Sequence, residues 1–379
     1  MRTLLVTGPG GSGRTTVAAA TALSAASEGH RTLLISADRV DTLGAEHANL
    51  TVRRLTPGEE FRDDLLALQQ RAGSALDLLG AGRLEGEELT PLPGSDELAL
   101  LRALRDAGQG GAYDTVVVDL PPVPRVLAVL ALPEQLRRYL RRLLPAERQA
   151  ARALRPMLGR IAGVPMPAAW LYETAARWDI ELAAAQAVIE APGTTVRLVA
   201  EPGPAGAEAV RAAATGLALQ GLRTDALHAS RVLPDDTADT WFAGLIAQQR
   251  KTLAEWQETY GEGLGPLPHL GHDPRGADDL AALGVPAPGA APEPVKWPVS
   301  DALADDGVLI WHIPLPGVVR EELGLIRRGD ELVVTAGPFR RIVTLPSALR
   351  RCTVAGAGLR DGELRVRFAP DPDLWPQTR

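Results

Sequence analysis

Nine residues near the amino terminus have the types and order of a phosphate-binding loop. A short apolar strand ending in Thr7 leads into Gly8-Pro9-Gly10-Gly11-Ser12-Gly13-Arg14-Thr15-Thr16, and an alanine-rich helix follows. In such loops backbone N–H groups surround phosphate oxygens, a lysine neutralises their charge, and a Ser or Thr hydroxyl binds Mg²⁺. Thr15 supplies the hydroxyl, but Arg14 stands where the lysine is expected. The alternative is a glycine-rich turn that holds no ligand.

Two aspartates follow apolar runs that are typical of buried strands. Asp38 comes after residues 31–37, and Asp119 ends residues 113–119. Carboxyl ends of parallel strands meet at one edge of a sheet, so both should lie beside the loop. We expect Thr15, Asp38 and Asp119 to hold Mg²⁺, the carboxylates partly through water, and Asp38 to orient an attacking water molecule. Strand-terminal aspartates that serve only as turn residues or helix caps are the alternative.

Composition limits the classes of protein that this chain can represent. Its 379 residues favour two domains, and a net charge of −7 argues against a nucleic-acid partner. The single cysteine, Cys352, excludes an internal disulfide and a CxxC zinc site. Because no apolar run reaches the ~18–20 residues of a membrane span, we expect a cytoplasmic protein.

The alternation of apolar runs and helical patterns predicts an α/β fold with a doubly wound, mostly parallel sheet of the P-loop NTPase type over residues 1–285. Residues 134–191 read as an inserted helical subdomain, 286–304 as a proline-rich linker, and 305–370 as a small all-β sandwich. Predicted strands are 2–7, 31–37, 113–119, 195–201, 224–232, 267–271, 308–313, 331–335, 339–345, 351–355 and 363–368. Predicted helices include 13–28, 58–79, 95–107, 204–220 and 238–260.

Three motifs in residues 1–285 resemble the ArsA-type anion-pump ATPases and the related ATPases that target tail-anchored membrane proteins. Their loop GKGGVGKTT aligns without gaps on residues 8–16, their first switch S-T-D-P-A-H-S-L on residues 36–43, and their second switch on residues 119–133. Ser230 and Arg231 begin a segment similar to the one that reads adenine in that family. The resemblance implies ATP or ADP with Mg²⁺ as ligands, with Asp119 at the nucleotide, and a dimer of identical or paralogous subunits.

The chain departs from the family pattern at several site positions, including one of the family's phosphate-binding lysines. Pro9 replaces the lysine that the family sends to the partner's phosphates, Pro124 and Arg125 replace a glycine and a histidine, and Ser230 replaces asparagine. The resemblance therefore implies weakened nucleotide binding and slow or absent hydrolysis. Two alternatives remain: a nucleotide-independent scaffold or chaperone, and an active ATPase whose missing cation comes from Arg39, Arg125 or a paralogous partner.

The segments outside the loop suggest possible partners. Residues 313–318, 331–334, 339–346 and 357–364 resemble the α-crystallin domain of small heat-shock proteins, which implies chaperone-like binding of an apolar protein client. A dimerisation or stability module is the alternative. The arginine-rich stretch 134–160 fits an anionic membrane surface or an acidic partner, or else a solvated helix face. Because residues 305–370 are few for an independent core, we expect them to pack on the α/β domain.

Overall fold

The structure, a computed structural model, describes residues 1–38, 40, 47–71, 82–144, 169–235 and 240–375. Seven strands form one parallel sheet in the order β3-β2-β4-β1-β5-β6-β7. They are β1 Arg2–Thr7, β2 Thr32–Ser36, β3 Leu50–Arg54, β4 Thr115–Asp119, β5 Thr194–Ala200, β6 Thr224–Val232 and β7 Leu264–Pro268. β2, β4 and β5 are buried along their length, and β1 is buried after its first residue, as expected of parallel strands covered on both faces.

Helices cover both faces of this sheet. They are α1 Arg14–Ser27, α2 Pro57–Arg71, α3 Ser95–Gln109, α4 Arg125–Leu143, α5 Ala169–Ile189, α6 Pro204–Leu219, α7 Thr240–Tyr260 and α8 Gly276–Ala282. Alternate strand residues separate the two faces: Leu4 and Val6 pack with α1 and α8, whereas Leu5 packs with α3 to α7. The predicted α/β class with its parallel sheet is therefore confirmed.

The carboxyl-terminal residues form two antiparallel sheets, ordered β13-β14-β9-β8 and β10-β11-β12. The strands are β8 Val299–Ala302, β9 Val308–Pro314, β10 Leu323–Arg328, β11 Glu331–Ala336, β12 Phe339–Thr344, β13 Cys352–Arg360 and β14 Glu363–Pro370, and a short helix α9, Leu303–Asp306, follows β8. Alternating inward residues such as Trp311, Val334 and Phe368 are buried between the sheets. The predicted all-β sandwich is confirmed.

The two halves share one hydrophobic core. Leu315, Val318 and Phe339 of the sandwich belong to the same buried cluster as Leu127 of α4 and Leu217 of α6. A Cβ on Gly216 would lie 2.2 Å from Leu127 Cδ1 and 3.1 Å from Phe339 Cε2, so glycine permits the close approach of α6 to both neighbours. The expected packing of residues 305–370 on the α/β domain is confirmed.

Buried arginines hold the proline-rich segment against the α/β domain. Arg2 Nε donates to the Gly289 carbonyl at 2.9 Å, and Arg197 Nη1 donates to the Pro286 carbonyl at 2.9 Å. Arg223 likewise donates to the Pro292 carbonyl. The first part of the segment predicted as a stiff spacer, residues 286–292, is therefore fixed by hydrogen bonds to its backbone.

Individual boundaries differ from the predictions. The strand expected at 267–271 lies at 264–268, the one expected at 351–355 extends to Arg360, and β3, β8 and β10 were missed. β3 has mostly exposed side chains, which gives it no apolar run to detect. Parts of the predicted helices 58–79 and 238–260, and residues 145–168 of the predicted helical subdomain, lie outside the described residues. That subdomain stays a prediction.

Candidate functional site

The loop between β1 and α1 has the backbone geometry that its glycines allow. Gly11 and Gly13 take φ values of 81° and 82°, in the left-handed region that favours glycine. A Cβ on Gly8 would lie 1.9 Å from the Val199 carbonyl oxygen, so only glycine fits there. Ser12 Oγ donates to the Pro9 carbonyl at 2.9 Å, which closes the turn. Gly13 caps α1, whose first N–H groups have no partner within the helix.

One hydroxyl lies between two carboxylates at the start of α1. Thr15 Oγ1 is 3.0 Å from Asp38 Oδ2 and 2.8 Å from Asp119 Oδ2. Ser36 Oγ donates to Asp119 Oδ2 at 2.8 Å and accepts from the Asp38 N–H at 3.1 Å. The structure thus brings together the three residues predicted to bind Mg²⁺, and the carboxyl ends of β2 and β4 place them.

The two carboxylates of this group have more acceptor atoms than the neighbouring hydrogen-bond donors can satisfy. Thr15 has one hydroxyl proton and two carboxylate neighbours, so it can donate to only one of them. Asp119 is 8% exposed, and its Oδ1 is buried without a hydrogen-bond partner in the described part of the chain. Burial raises the pKa of Asp119 above its ordinary value. Either a proton or a cation bound to these oxygens would relieve the imbalance.

The donor set fits Mg²⁺ better than a transition metal. Among the described residues, no group of three or more His, Cys, Asp or Glu side chains forms a metal cage. One hydroxyl and two carboxylates leave positions for water and phosphate oxygens, which is how Mg²⁺ is usually held. Thr15, Asp38 and Asp119 are therefore the residues of this chain that would hold the ion.

Arg14 does not extend over the glycine loop. Its Nη1 donates to the Leu120 carbonyl at the end of β4, and its Nε is buried without a hydrogen-bond partner among the described residues. The side chain lines a cavity of about 220 Å³, which we call the acidic cavity. Its charged lining residues are Arg14, Asp38, Asp96, Glu97, Asp119 and Arg125.

Arg125 was considered above as a substitute cation, and it is paired in the structure. Its guanidinium lies 3.1 Å from Asp96 Oδ2 and 2.8 Å from Glu97 Oε1, and these ion pairs raise the pKa of Arg125. Arg39, the other candidate, lies outside the described residues. Asp96 and Glu97 were not predicted as site residues, because acidic residues in the first turn of a helix are ordinary.

Ser230 and Arg231 line a second cavity together with Ser12, Gly13 and Thr16 of the loop. This cavity measures about 250 Å³. Ser230 Oγ is buried without a hydrogen-bond partner in the described part of the chain. His269 and His272 also line the cavity and were missed, although their spacing at the end of the predicted strand 267–271 was a usable signal.

Comparison with known proteins decides the family. The model of the family described as "Anion-transporting ATPase" matches residues 1–284. This chain belongs to that family. A second model, described as "HSP20-like domain found in ArsA", matches residues 306–368, so the carboxyl-terminal sandwich of this ArsA-family chain is one that recurs in the family.

Relatives are similar over their full length. An uncharacterized protein of Streptomyces coelicolor is 67% identical, with 100% of both chains covered. A protein of Mycobacterium tuberculosis is 33% identical over 99% of this chain and 97% of its own. A putative arsenical pump-driving ATPase of Aquifex aeolicus is 22% identical over 97% of this chain and 99% of its own. The ArsA-type resemblance is thereby confirmed.

The arginine-rich stretch was a candidate contact for a membrane or an acidic partner. In its described part, Arg137 Nε pairs with Asp179 Oδ1 at 3.0 Å, and Arg138 and Arg142 pair with Glu331 of the sandwich. Residues 145–160 lie outside the described residues. No described helix is both long enough and apolar enough to cross a membrane.

Proposed function

We propose that this ArsA-family chain binds ATP or ADP with Mg²⁺ at the β1–α1 loop. The observation that carries the proposal is the position of Thr15 Oγ1, 3.0 Å from Asp38 and 2.8 Å from Asp119, with a buried, unpartnered Asp119 oxygen in the described structure. When bound, Mg²⁺ would neutralise phosphate charge. The loop N–H groups would hold the phosphates, and the cavity with Ser230 and Arg231 would take the nucleoside.

Hydrolysis should be very slow. Asp38 is placed to orient a water molecule, but Arg14 is bonded to the Leu120 carbonyl and Pro9 carries no positive charge. Loss of one cation that stabilises a phosphoryl-transfer transition state typically costs ~10³–10⁵ in rate. A homodimer, or a dimer with a paralogue that supplies the missing cation, is the assembly we propose. The sandwich then serves as a module for an apolar client or for stability.

Isothermal titration calorimetry of the full chain with ADP and ATP tests this function. We expect micromolar or weaker binding that Mg²⁺ tightens about tenfold or more, and Thr15→Val should remove the gain due to Mg²⁺. Asp96→Asn is the matched control, because Asp96 lines the acidic cavity but does not contact Thr15 in the structure. Phosphate release should be slow and should disappear in Asp38→Asn.

Four outcomes separate the alternatives. Absence of heat with any nucleotide would favour the scaffold. Turnover of many molecules per minute by the pure protein would show that another cation acts, and Arg39→Ala and Arg125→Ala would identify it. Light scattering with and without nucleotide would reveal a dimer, and turnover that appears only on mixing with a paralogue would establish the mixed assembly.

A further inference from the structure

A second charged cavity lies between the two halves of the molecule. It measures about 200 Å³ and is bordered by α4, by the residue after α6, and by β12 of the sandwich. Its polar lining residues are Glu134, Gln135, Arg138, Tyr139, Gln220, Arg340 and Arg341. We call it the arginine cavity. Both halves of the chain contribute to it. It borders α4 at residues 131–139, whereas the acidic cavity borders the same helix at Arg125 and Val129.

The charges around the arginine cavity do not balance. Three guanidinium groups face one carboxylate, Glu134, in a chain whose net charge is −7. Arg138 also pairs with Glu331, and Arg341 Nε lies 3.5 Å from Glu134 Oε2, so the positive charge that has no carboxylate partner among the described residues lies on Arg340. A local excess of arginine in an acidic protein gives a positive potential that attracts anions.

Arg340 and Arg341, the two arginines of β12, differ in how firmly the protein holds them, and Arg341 stacks over the Trp297 ring with its Cζ 5.7 Å from the ring centroid. Arg341 Nη1 donates to the Leu219 carbonyl at 3.1 Å, but its Nε is buried without a hydrogen-bond partner and lies 3.5 Å from Glu134 Oε2. Arg340 Nε has one long contact, 3.4 Å to Thr335 Oγ1. The Gln135 and Gln220 amides add neutral donors at the same wall.

We propose that the arginine cavity binds a small phosphate-type oxyanion. The planar guanidinium fork matches the oxygens of phosphate better than those of a monovalent halide, because two parallel N–H groups bind two oxygens at once. The cavity is smaller than the ~300–1,000 Å³ typical of sites for drug-sized ligands, which favours a compact ion or the end group of a small metabolite. Bound there, the anion would join α4 to β12.

Calorimetry with sodium phosphate on the full chain, without nucleotide or Mg²⁺ and at constant ionic strength, tests the site. Arg340→Gln should weaken binding about tenfold, and Arg340→Glu should abolish it. Arg340 is exposed, and among the described residues its one hydrogen-bond contact is the long one to Thr335, so neither change should disturb the core. Arg328→Gln is the matched control: Arg328 is an exposed arginine of the same sandwich, outside the cavity, and its loss should leave affinity unchanged.

The phosphate-binding loop must be separated from this site. Gly10→Asp places a carboxylate in the loop at a position where a Cβ meets no atom within 4 Å, so it should repel phosphate there without strain. Phosphate binding that survives in Gly10→Asp and weakens in Arg340→Gln supports the arginine cavity. Binding that is absent in the wild type, lost in Gly10→Asp, or unchanged in Arg340→Glu overturns it.

Glycerol 3-phosphate in place of phosphate identifies the source of the anion. Tighter binding of the monoester in the wild type, lost in Arg340→Glu, indicates a phosphorylated metabolite; tighter binding of phosphate indicates the free ion. Since nucleotide binding is measured separately and depends on Thr15 and Gly10, failure of this site leaves the proposed function intact, and the reverse also holds.

Discussion

Helix α4 begins beside the acidic cavity and borders the arginine cavity along residues 131–139. We call its first turns the loop end and its second half the sandwich end, and compare the two. At Arg125, four carboxylates and two guanidiniums line a space next to the phosphate-binding loop. At Arg138, thirteen residues and about 20 Å further along the helix, three guanidiniums face one carboxylate next to the sandwich. The first end carries an excess of negative charge and the second an excess of positive charge.

The ends also differ in how they are attached. Arg125 and Asp96 are 53% and 61% exposed, so their ion pair is a surface contact. Arg138 and Glu331 are 16% and 24% exposed, so their ion pair is the more buried one. Leu127, two residues after Arg125, packs near Gly216 and Phe339, so the loop end of α4 also contacts the shared core. Pro133 divides the helix between these regions and removes one backbone hydrogen bond. The ion pair at the sandwich end should therefore contribute more to stability than the one at the loop end.

The largest effect on stability should come from truncating a buried aromatic side chain of the sandwich. Phe339 is 8% exposed and contacts α6, so Phe339→Ala should lower the free energy of unfolding by about 3–5 kcal/mol. Ile326, on the same sandwich, is 54% exposed, and Ile326→Ala should change it by less than about 0.5 kcal/mol. Urea unfolding of both variants is the measurement. Equal losses would contradict a shared core between the two halves.

Next in size is the ion pair that connects the helix to the sandwich. Glu331→Gln leaves Arg138 and Arg142 without their carboxylate, and Arg138 is largely buried, so we expect a loss of about 1–3 kcal/mol. Urea unfolding at low and high salt measures it. A loss that vanishes in high salt would mean that the pair is screened like a surface contact.

Local sequence was enough to predict which residues meet at the loop end of α4. The glycine loop, Asp38 and Asp119 are each adjacent to a strand whose apolar run is evident, and parallel strands must bring their carboxyl ends together. The resemblance added Ser230 and Arg231, which the structure places beside the loop. For these residues, position along the chain determines position in space.

Contacts between segments far apart in the chain, such as those at the sandwich end of α4, could not be predicted in this way. Arg142 and Glu331 are separated by 189 positions in the chain, and nothing near either residue specifies the other. The direction of Arg14 depends on the Leu120 carbonyl, which no motif describes. β10 has exposed side chains such as Ile326 and little alternation, so its strand could be recognised only by its pairing with β11. Such features arise from packing between distant segments.

At the loop end, protons should compete with the cation. Burial raises the pKa of Asp119, so this carboxyl gains a proton as the pH falls before an exposed aspartate does. We therefore expect the Mg²⁺-dependent gain in ADP affinity to be largest at high pH and to fall by roughly tenfold per pH unit below the Asp119 pKa. Titrations in two buffers with different ionisation heats should reveal proton release. In Asp119→Asn, both the gain and its pH dependence should be absent.

The smallest effect should come from the surface ion pair at Arg125. Asp96→Asn removes one of two carboxylates that contact this guanidinium, and Glu97 Oε1 remains 2.8 Å away. Because exposed pairs contribute about 0–1 kcal/mol, stability should change by less than that in urea unfolding. A loss as large as that of Glu331→Gln would show that both ends of α4 are held with similar strength. The loop end would then be as fixed as the sandwich end. The two ends would differ only in the sign of their excess charge, which is negative at the acidic cavity and positive at the arginine cavity.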